Sequence, residues 1–231
     1  MKKGYTGFES SGKSYFLAQD SAEIMYRNER WAKKYKLKTR PIVSCIPYSD
    51  SFLAECETRG VPVIHFESLE EIKNMTGCDI FVDEIVKFFD SRFWEKLSLE
   101  IRTWVSESAK TGVHWYFGAQ NFEQVDVSFR RLVQPGDLVH VTKLFGSARP
   151  HPSMPPVKRV WGVIMRRAYS FDEAKKEKSA EGFPQFSLIR KNICSIFDTN
   201  KRIEVDNTVI LRHIQAKCSQ PYCDFHKVMH A

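Results

Sequence analysis

Gly7, Gly12, Lys13 and Ser14 complete the spacing G-x-x-x-x-G-K-S within GFESSGKS, close to the start of a 231-residue chain. Each residue type has a phosphate-binding role. Glycines let backbone N–H groups wrap phosphate oxygens, the lysine ammonium reaches the β- and γ-phosphates, and the serine hydroxyl is a ligand for Mg²⁺. A helix starting at the lysine adds the positive end of its dipole. The residues expected to contact ATP are Gly7, Ser10, Ser11, Gly12, Lys13, Ser14 and Tyr15. A chance match in a Gly/Ser-rich turn would lack the flanks found here, an apolar strand before the loop and a helical pattern after it.

A loop of this kind needs a second acid to hold Mg²⁺. Asp83, at the end of the apolar run IFVDE, is placed to share the metal with Ser14. Glu84 follows directly and suits a general base that polarises an attacking water; the competing reading is an acid stabilised at a helix N-terminus. The Asp-Glu pair points to hydrolysis, because an enzyme that transfers phosphate to a small acceptor has no need of a water-activating glutamate. A later apolar strand ends in Gln120-Asn121. In nucleotide hydrolases with a catalytic glutamate that strand lies between the loop strand and the acid strand. Gln120 is then the expected γ-phosphate sensor, Asn121 the alternative, and a simple polar turn the plain reading. Arg130 and Arg131 in VSFRRL are candidates to stabilise charge on the transferring phosphoryl group, from a neighbouring subunit if the site is shared. A solvated basic pair or a DNA contact competes with that role.

These side chains need a scaffold, and the patterning predicts one. Helix and strand signals alternate over residues 1–145, which is the mark of an α/β layer fold. Strands are predicted at residues 2–6, 40–47, 61–68, 78–84, 113–121 and 138–145. A helix runs from Lys13 to Tyr35, with Phe16, Leu17, Ile24 and Met25 at helical spacing. Further helices are expected to start in SLEEIKNM, to span SRFWEKLSLEIRTWVSESAKTG up to Gly112, and to occupy part of VDVSFRRLVQPGD. Four prolines in GSARPHPSMPP (146–156) make a linker or irregular loop. VKRVWGVIMRRAYSF then reads as a strand or hairpin arm, DEAKKEKSAEG as a solvated charged stretch, and NICSIFDTNKRIE as a last strand and turn.

With 42% apolar residues the chain has material for one core. No run of about 18 apolar residues occurs, so no transmembrane helix is predicted, and the N-terminus lacks the apolar stretch of a secretory signal. The expected setting is the cytoplasm of a host cell or a virion. Cys45, Cys56, Cys78 and Cys194 fit buried thiols in a reducing compartment. The net charge of +7 favours contact with nucleic acid or another anionic surface.

Taken together, GFESSGKS, FVDE, FFDSRFW and GVHWYFGAQNFEQVDVSFRRLV make the chain similar to the zonula occludens toxin-like (Zot-like) ATPases. These filamentous-phage assembly proteins group with the FtsK/HerA DNA-pumping motors. The matching positions are Asp83-Glu84, Phe89 with Ser91-Arg92, Gln120 and Arg130. IFDTNKRIE resembles the family's closing aromatic-Asp-Thr turn, with Phe197 as the aromatic. The resemblance covers residues 3–205 or so. It implies a three-layer α/β P-loop NTPase with a mainly parallel, RecA/FtsK-like central sheet, and an ATPase domain over 1–205. It also implies a homo-oligomeric ring, a hexamer, that translocates DNA in viral genome packaging, virion assembly or extrusion, with capsid or assembly proteins as partners. The arginine finger would come from the next subunit. Two departures stand out. Many relatives carry Arg-His before the glycine that opens the sensor strand, where this chain reads SESAKTG. Many also have a membrane span after the ATPase domain, and a motor without one fits this chain better. A small-molecule kinase, or a binding module that nucleotide merely controls, remains the alternative.

Two further features stand outside that pattern. RNERWAKKYKLKTR (27–40) holds seven Lys/Arg with Trp31 and Tyr35 interleaved, a composition that suits bases and phosphates or simply an exposed helix end. VKRVWGVIMRR is a second basic stretch. In the tail 206–231, Cys218, Cys223, His226 and His230 form Cys-x4-Cys-x2-His-x3-His, four tetrahedral zinc ligand types in an unusually compact spacing. A zinc knuckle and an unstructured tail are both open readings.

Overall fold

The computed structural model describes residues 1–8, 11–92, 94–134, 136–146, 162–172 and 177–197. Its strands are β1 (Lys2–Thr6), β2 (Ile42–Ser44), β3 (Val63–His65), β4 (Asp79–Val82), β5 (His114–Ala119), β6 (Leu138–Gly146), β7 (Gly162–Asp172) and β8 (Glu177–Leu188). Its helices are α1 (Lys13–Tyr35), α2 (Asp50–Thr58), α3 (Leu69–Ile72), α4 (Val86–Phe89), α5 (Leu99–Glu107), α6 (Val127–Arg130) and α7 (Lys191–Cys194). The strands form one sheet in the order β3-β2-β4-β5-β1-β6-β7-β8. Pairs from β3 across to β6 are parallel, and β6, β7 and β8 are antiparallel. This is a three-layer α/β P-loop NTPase fold with a mainly parallel central sheet.

The central strands read as apolar runs because helices cover both of their faces. On β5, Trp115 and Phe117 enter one core and Tyr116 the other; on β4, Ile80 and Val82 oppose Phe81. That alternation is the two-residue strand period at work. Phe16, Leu17, Ile24 and Met25 of α1 fill the core on the Phe81/Tyr116 side, joined by Phe52 of α2. Ile101, Trp104 and Val105 of α5 and Phe129 of α6 fill the other, around Trp115 and Phe117. Cys45, Cys56, Cys78 and Cys194 are free thiols. Burial pushes Cys56 up to about 12 and Cys78 up to about 11, which keeps them protonated and inert.

Three expectations need correction. The helix predicted across 91–112 is a 3₁₀ turn at Trp94–Lys96 followed by α5, because the Ser98 side chain accepts from Ile101 N and caps a fresh start at Leu99. The charged stretch 172–182 is no plain loop: from Glu177 onward it belongs to β8, which pairs with β7 as the sheet's edge, with Ala180 and Gly182 in solvent as expected. The described side chains of β8 are exposed or half-buried, with no core to cover, so no apolar alternation marks it. The start of the last predicted strand is instead the single turn of α7, after which Phe197 bridges Tyr48; residues 198–204 of that stretch lie outside the described residues. The 147–156 part of the proline-rich stretch and the whole Cys/His tail, with Cys218, Cys223, His226 and His230, lie outside the described residues. Among the described residues no helix is long and apolar enough to cross a membrane.

Candidate active site

The loop between β1 and α1 takes its shape from its two glycines. Gly7 has φ 146° and Gly12 φ 109°, both in the region that side chains disfavour. Space adds to this: a Cβ on Gly7 would strike the Val141 carbonyl oxygen, and one on Gly12 would push on the tip of Ile164, 2.7 Å from its Cδ1. β6 and β7 therefore form the wall behind the loop. Lys13 opens α1 almost buried, and its Nζ donates to the carbonyls of Gly7 at 2.9 Å and Phe8 at 3.0 Å. The ammonium thus lies within the curve of the loop. Ser11 Oγ is buried with no hydrogen-bond partner among the described residues. A buried, unpaired hydroxyl is costly, and a phosphate oxygen would relieve it. Ser10 lies outside the described residues. The Tyr15 side chain points elsewhere: its hydroxyl donates to the Leu188 carbonyl at 3.0 Å and accepts from Arg190 N at 3.2 Å. Tyr15 thereby ties the end of β8 to the first turn of α1, leaving only its backbone toward the loop.

The acids meet the loop through the strand order. β4 does not neighbour β1; β5 lies between them. Beyond β4 the chain crosses over the end of β5, where Ile85 N donates to Gly118 O at 2.8 Å. The Asp83 carbonyl comes so near Gly118 that a Cβ there would collide with it. That close approach brings Asp83 Oδ1 to 2.8 Å from Ser14 Oγ, which donates to it. It also brings Glu84 to the tip of β5, where Glu84 Oε1 accepts from Gln120 N at 3.3 Å. Burial pushes the Glu84 carboxyl above its ordinary value, and the Asp83 charge adds to this; the Gln120 N–H and the Lys13 charge pull the other way. A raised carboxyl facing a water-accessible site is the setting of a general base. Gly118 was not among the residues that the motifs single out, since nothing in FGAQ alone tells a close backbone approach from an ordinary strand glycine.

Gln120 stands exposed just past the end of β5. Asn121 is committed elsewhere: its side chain accepts from Glu123 N and starts a 3₁₀ turn at Phe122–Gln124. Of the two polar residues, Gln120 alone has a side chain not used in that cap. Arg130, at the end of α6, donates from Nη1 to the Glu123 carbonyl at 2.6 Å, so it braces the turn that follows Gln120. Arg131 is exposed. For Mg²⁺ the donor set fits, since a hydroxyl and a carboxylate oxygen already touch at the start of α1. Among the described residues no cluster of three or more His, Cys, Asp and Glu side chains could hold a metal.

No protein-family model and no curated protein matches the chain. Solved structures do. The N-terminal domain of zonular occludens toxin from Neisseria meningitidis is 16% identical with a TM-score of 0.50, over 85% of this chain and 98% of that domain. This chain shares that domain's fold. The genome packaging NTPase of Sulfolobus turreted icosahedral virus 2, solved with ATP-gammaS, matches at 10% identity and a TM-score of 0.38, over 78% of this chain and 96% of its own. A KaiC-like protein from Pyrococcus horikoshii matches at 10% identity and 0.36, over 78% and 89%.

Proposed function

We propose that this chain is a Mg²⁺-dependent ATPase motor that spends hydrolysis on moving DNA, in viral genome packaging, virion assembly or extrusion. The observation that carries the hydrolytic part is the joint placement of Ser14 on Asp83 and of Glu84 on the tip of β5. Lys13 and the loop backbone would grip the phosphates, and Ser14 and Asp83 would hold the cation. When bound, that cation would withdraw charge from the β- and γ-phosphates. Glu84 would take a proton from the attacking water as its oxygen bonds to the γ-phosphorus and the bond to the β–γ bridging oxygen breaks. Gln120 would touch the γ-phosphate and relay its loss to the turn braced by Arg130. Residues 1–205 would form the motor domain, with 206–231 as an appended tail that could bind zinc. In a hexameric ring the finger would be Arg130, leaving the Glu123 carbonyl to reach a neighbour, or the exposed Arg131.

The net charge of +7 supports DNA as the polymer, and capsid or assembly proteins would be the partners of such a motor. The test is Glu84→Gln. It should keep ATP affinity and lose turnover by at least a hundredfold; turnover at the wild-type rate removes Glu84 as base. Wild-type turnover should rise with added DNA. A rate indifferent to DNA of any form would remove the motor and leave a plain NTPase.

A further inference from the structure

The far end of α1 carries features that the ATP site does not use. A 23-residue helix is about 35 Å long, so its last turns lie at the opposite end of the strands from the loop. There Asn28 bonds both Asp79, at the start of β4, and the Arg40 carbonyl. The structure divides the seven cations of residues 27–40. Arg27 and Arg40 reach the buried Asp79 carboxylate, and Arg40 also donates to the Cys78 and Gly112 carbonyls. Lys33 pairs with Glu29, which Arg59 also neutralises. Arg30, Lys34, Lys36 and Lys38 are exposed and have no carboxylate partner among the described residues.

Between these four stand Trp31 and Tyr35, one helical turn apart, 58% and 54% exposed. Their rings meet edge to face at 6.1 Å, and Lys34 Nζ lies 5.0 Å from the Tyr35 ring. Leu37, just past the helix, is also exposed. Trp31 and Tyr35 continue the line of Ile24 and Asn28 along α1, but they lie beyond the last buried residue of the helix, so core packing does not account for two adjoining aromatics in water. Positive charge selects a polyanion. Exposed rings select one whose flat groups are unstacked, which a duplex does not offer and a single strand does.

We propose that this face binds single-stranded nucleic acid, with phosphates on Arg30, Lys34, Lys36 and Lys38 and bases stacked on Trp31 and Tyr35. The proposal rests on the DNA-moving reading above and deepens it by naming the contact surface and the form of the strand. It puts the polymer at the opposite end of α1 from the phosphates, so the helix itself joins the two sites. Arg27, Arg40 and Lys33 belong to the fold and not to the strand.

The test uses the full chain and a 20-nucleotide oligo-dT. Wild type should bind it with quenching of tryptophan fluorescence. Trp31→Ala with Tyr35→Ala should weaken binding about tenfold or more. Lys34→Gln, Lys36→Gln and Lys38→Gln together should flatten the slope of log affinity against log salt by about 2. Trp31→Phe, which keeps a ring, should bind nearly as wild type but without the quench. Unchanged thermal midpoints check that the variants fold. If wild type binds and the aromatic variant binds as tightly, the surface is wrong while the motor reading stands. If wild type binds neither oligo-dT nor duplex, both fall. Binding to vesicles of anionic phospholipid but not to oligo-dT would overturn the proposal in favour of a membrane.

Discussion

Two aspartates at opposite ends of β4 lead opposite lives. Asp79, at its start, is fully buried and meets four partners: Asn28 at 3.0 Å, His114 at 3.1 Å, Arg40 at 3.2 Å and Arg27 at 3.4 Å. Burial alone would raise its carboxyl, but the hydrogen bonds from His114 and Asn28 and the Arg40 charge outweigh it and hold the group at about 2. Asp83, just past the strand's other end, faces the Ser14 hydroxyl at the mouth of the loop, and its neighbour Glu84 is pushed up by burial. A carboxylate ringed by donors fixes its surroundings, joining α1, the α1–β2 loop, β4 and β5 in one cluster. A carboxylate pair with an open side can exchange ligands and protons. Charge on a strand therefore says little about its use until its partners are counted.

The sharpest break between the two ends is Glu84→Gln, expected to cost two to four powers of ten in turnover, about 3–5 kcal/mol of barrier, with stability unchanged. Asp79→Ala should do the reverse. It leaves Arg40 and Asn28 facing an empty buried site, so it should cost about 3–5 kcal/mol of stability by urea unfolding, with ATP affinity unchanged in a fluorescent-nucleotide titration. Equal losses in both assays would mean that the ends are not independent. Acid sharpens the same contrast. The Asp79 carboxyl is depressed in the folded state, so its stabilisation is fully present above about pH 4 and is lost as pH falls toward about 2. The loss should be about 2 kcal/mol, and it should vanish in an Asp79→Asn background. Gly118→Ala would press on the Asp83 carbonyl and displace Glu84; turnover should drop about tenfold with ATP affinity nearly kept. A turnover equal to wild type would mean that this crossing does not position the acids. Smallest of all, Tyr15→Phe should cost about 1 kcal/mol of stability by removing the tie to Leu188 and Arg190.

Much of this was legible in the chain. β1 and α1 fall where the loop's flanks and the helical spacing put them, because a phosphate loop requires a strand before it and a helix after it. The place of β5 between β1 and β4 followed from pairing a catalytic glutamate with a later sensor strand. α2 was harder, since it buries only Phe52 and Cys56 and so has no sustained stripe. β8 is hidden by its own charge, because it pairs with β7 through backbone bonds while its described side chains cover no core and leave no apolar pattern. The seven cations of 27–40 look alike in sequence, and only their carboxylate partners, Asp79 for Arg27 and Arg40 and Glu29 for Lys33, set three of them apart from the other four.

By itself the sequence determined the local chemistry: Gly7, Gly12, Lys13 and Ser14 as a phosphate loop, and Asp83-Glu84 as an acid pair at a strand's end. Those are properties of spacing and residue type, set within a few positions along the chain. Only the tertiary structure decided that Asp83 reaches Ser14, that Gly118 must lack a side chain, that Asn121 is spent on a cap, and that Tyr15 turns away from the loop toward β8. Each of these depends on which strands become neighbours. Contacts between residues far apart in sequence are fixed by packing the whole sheet between its helices, not by any short run of residues.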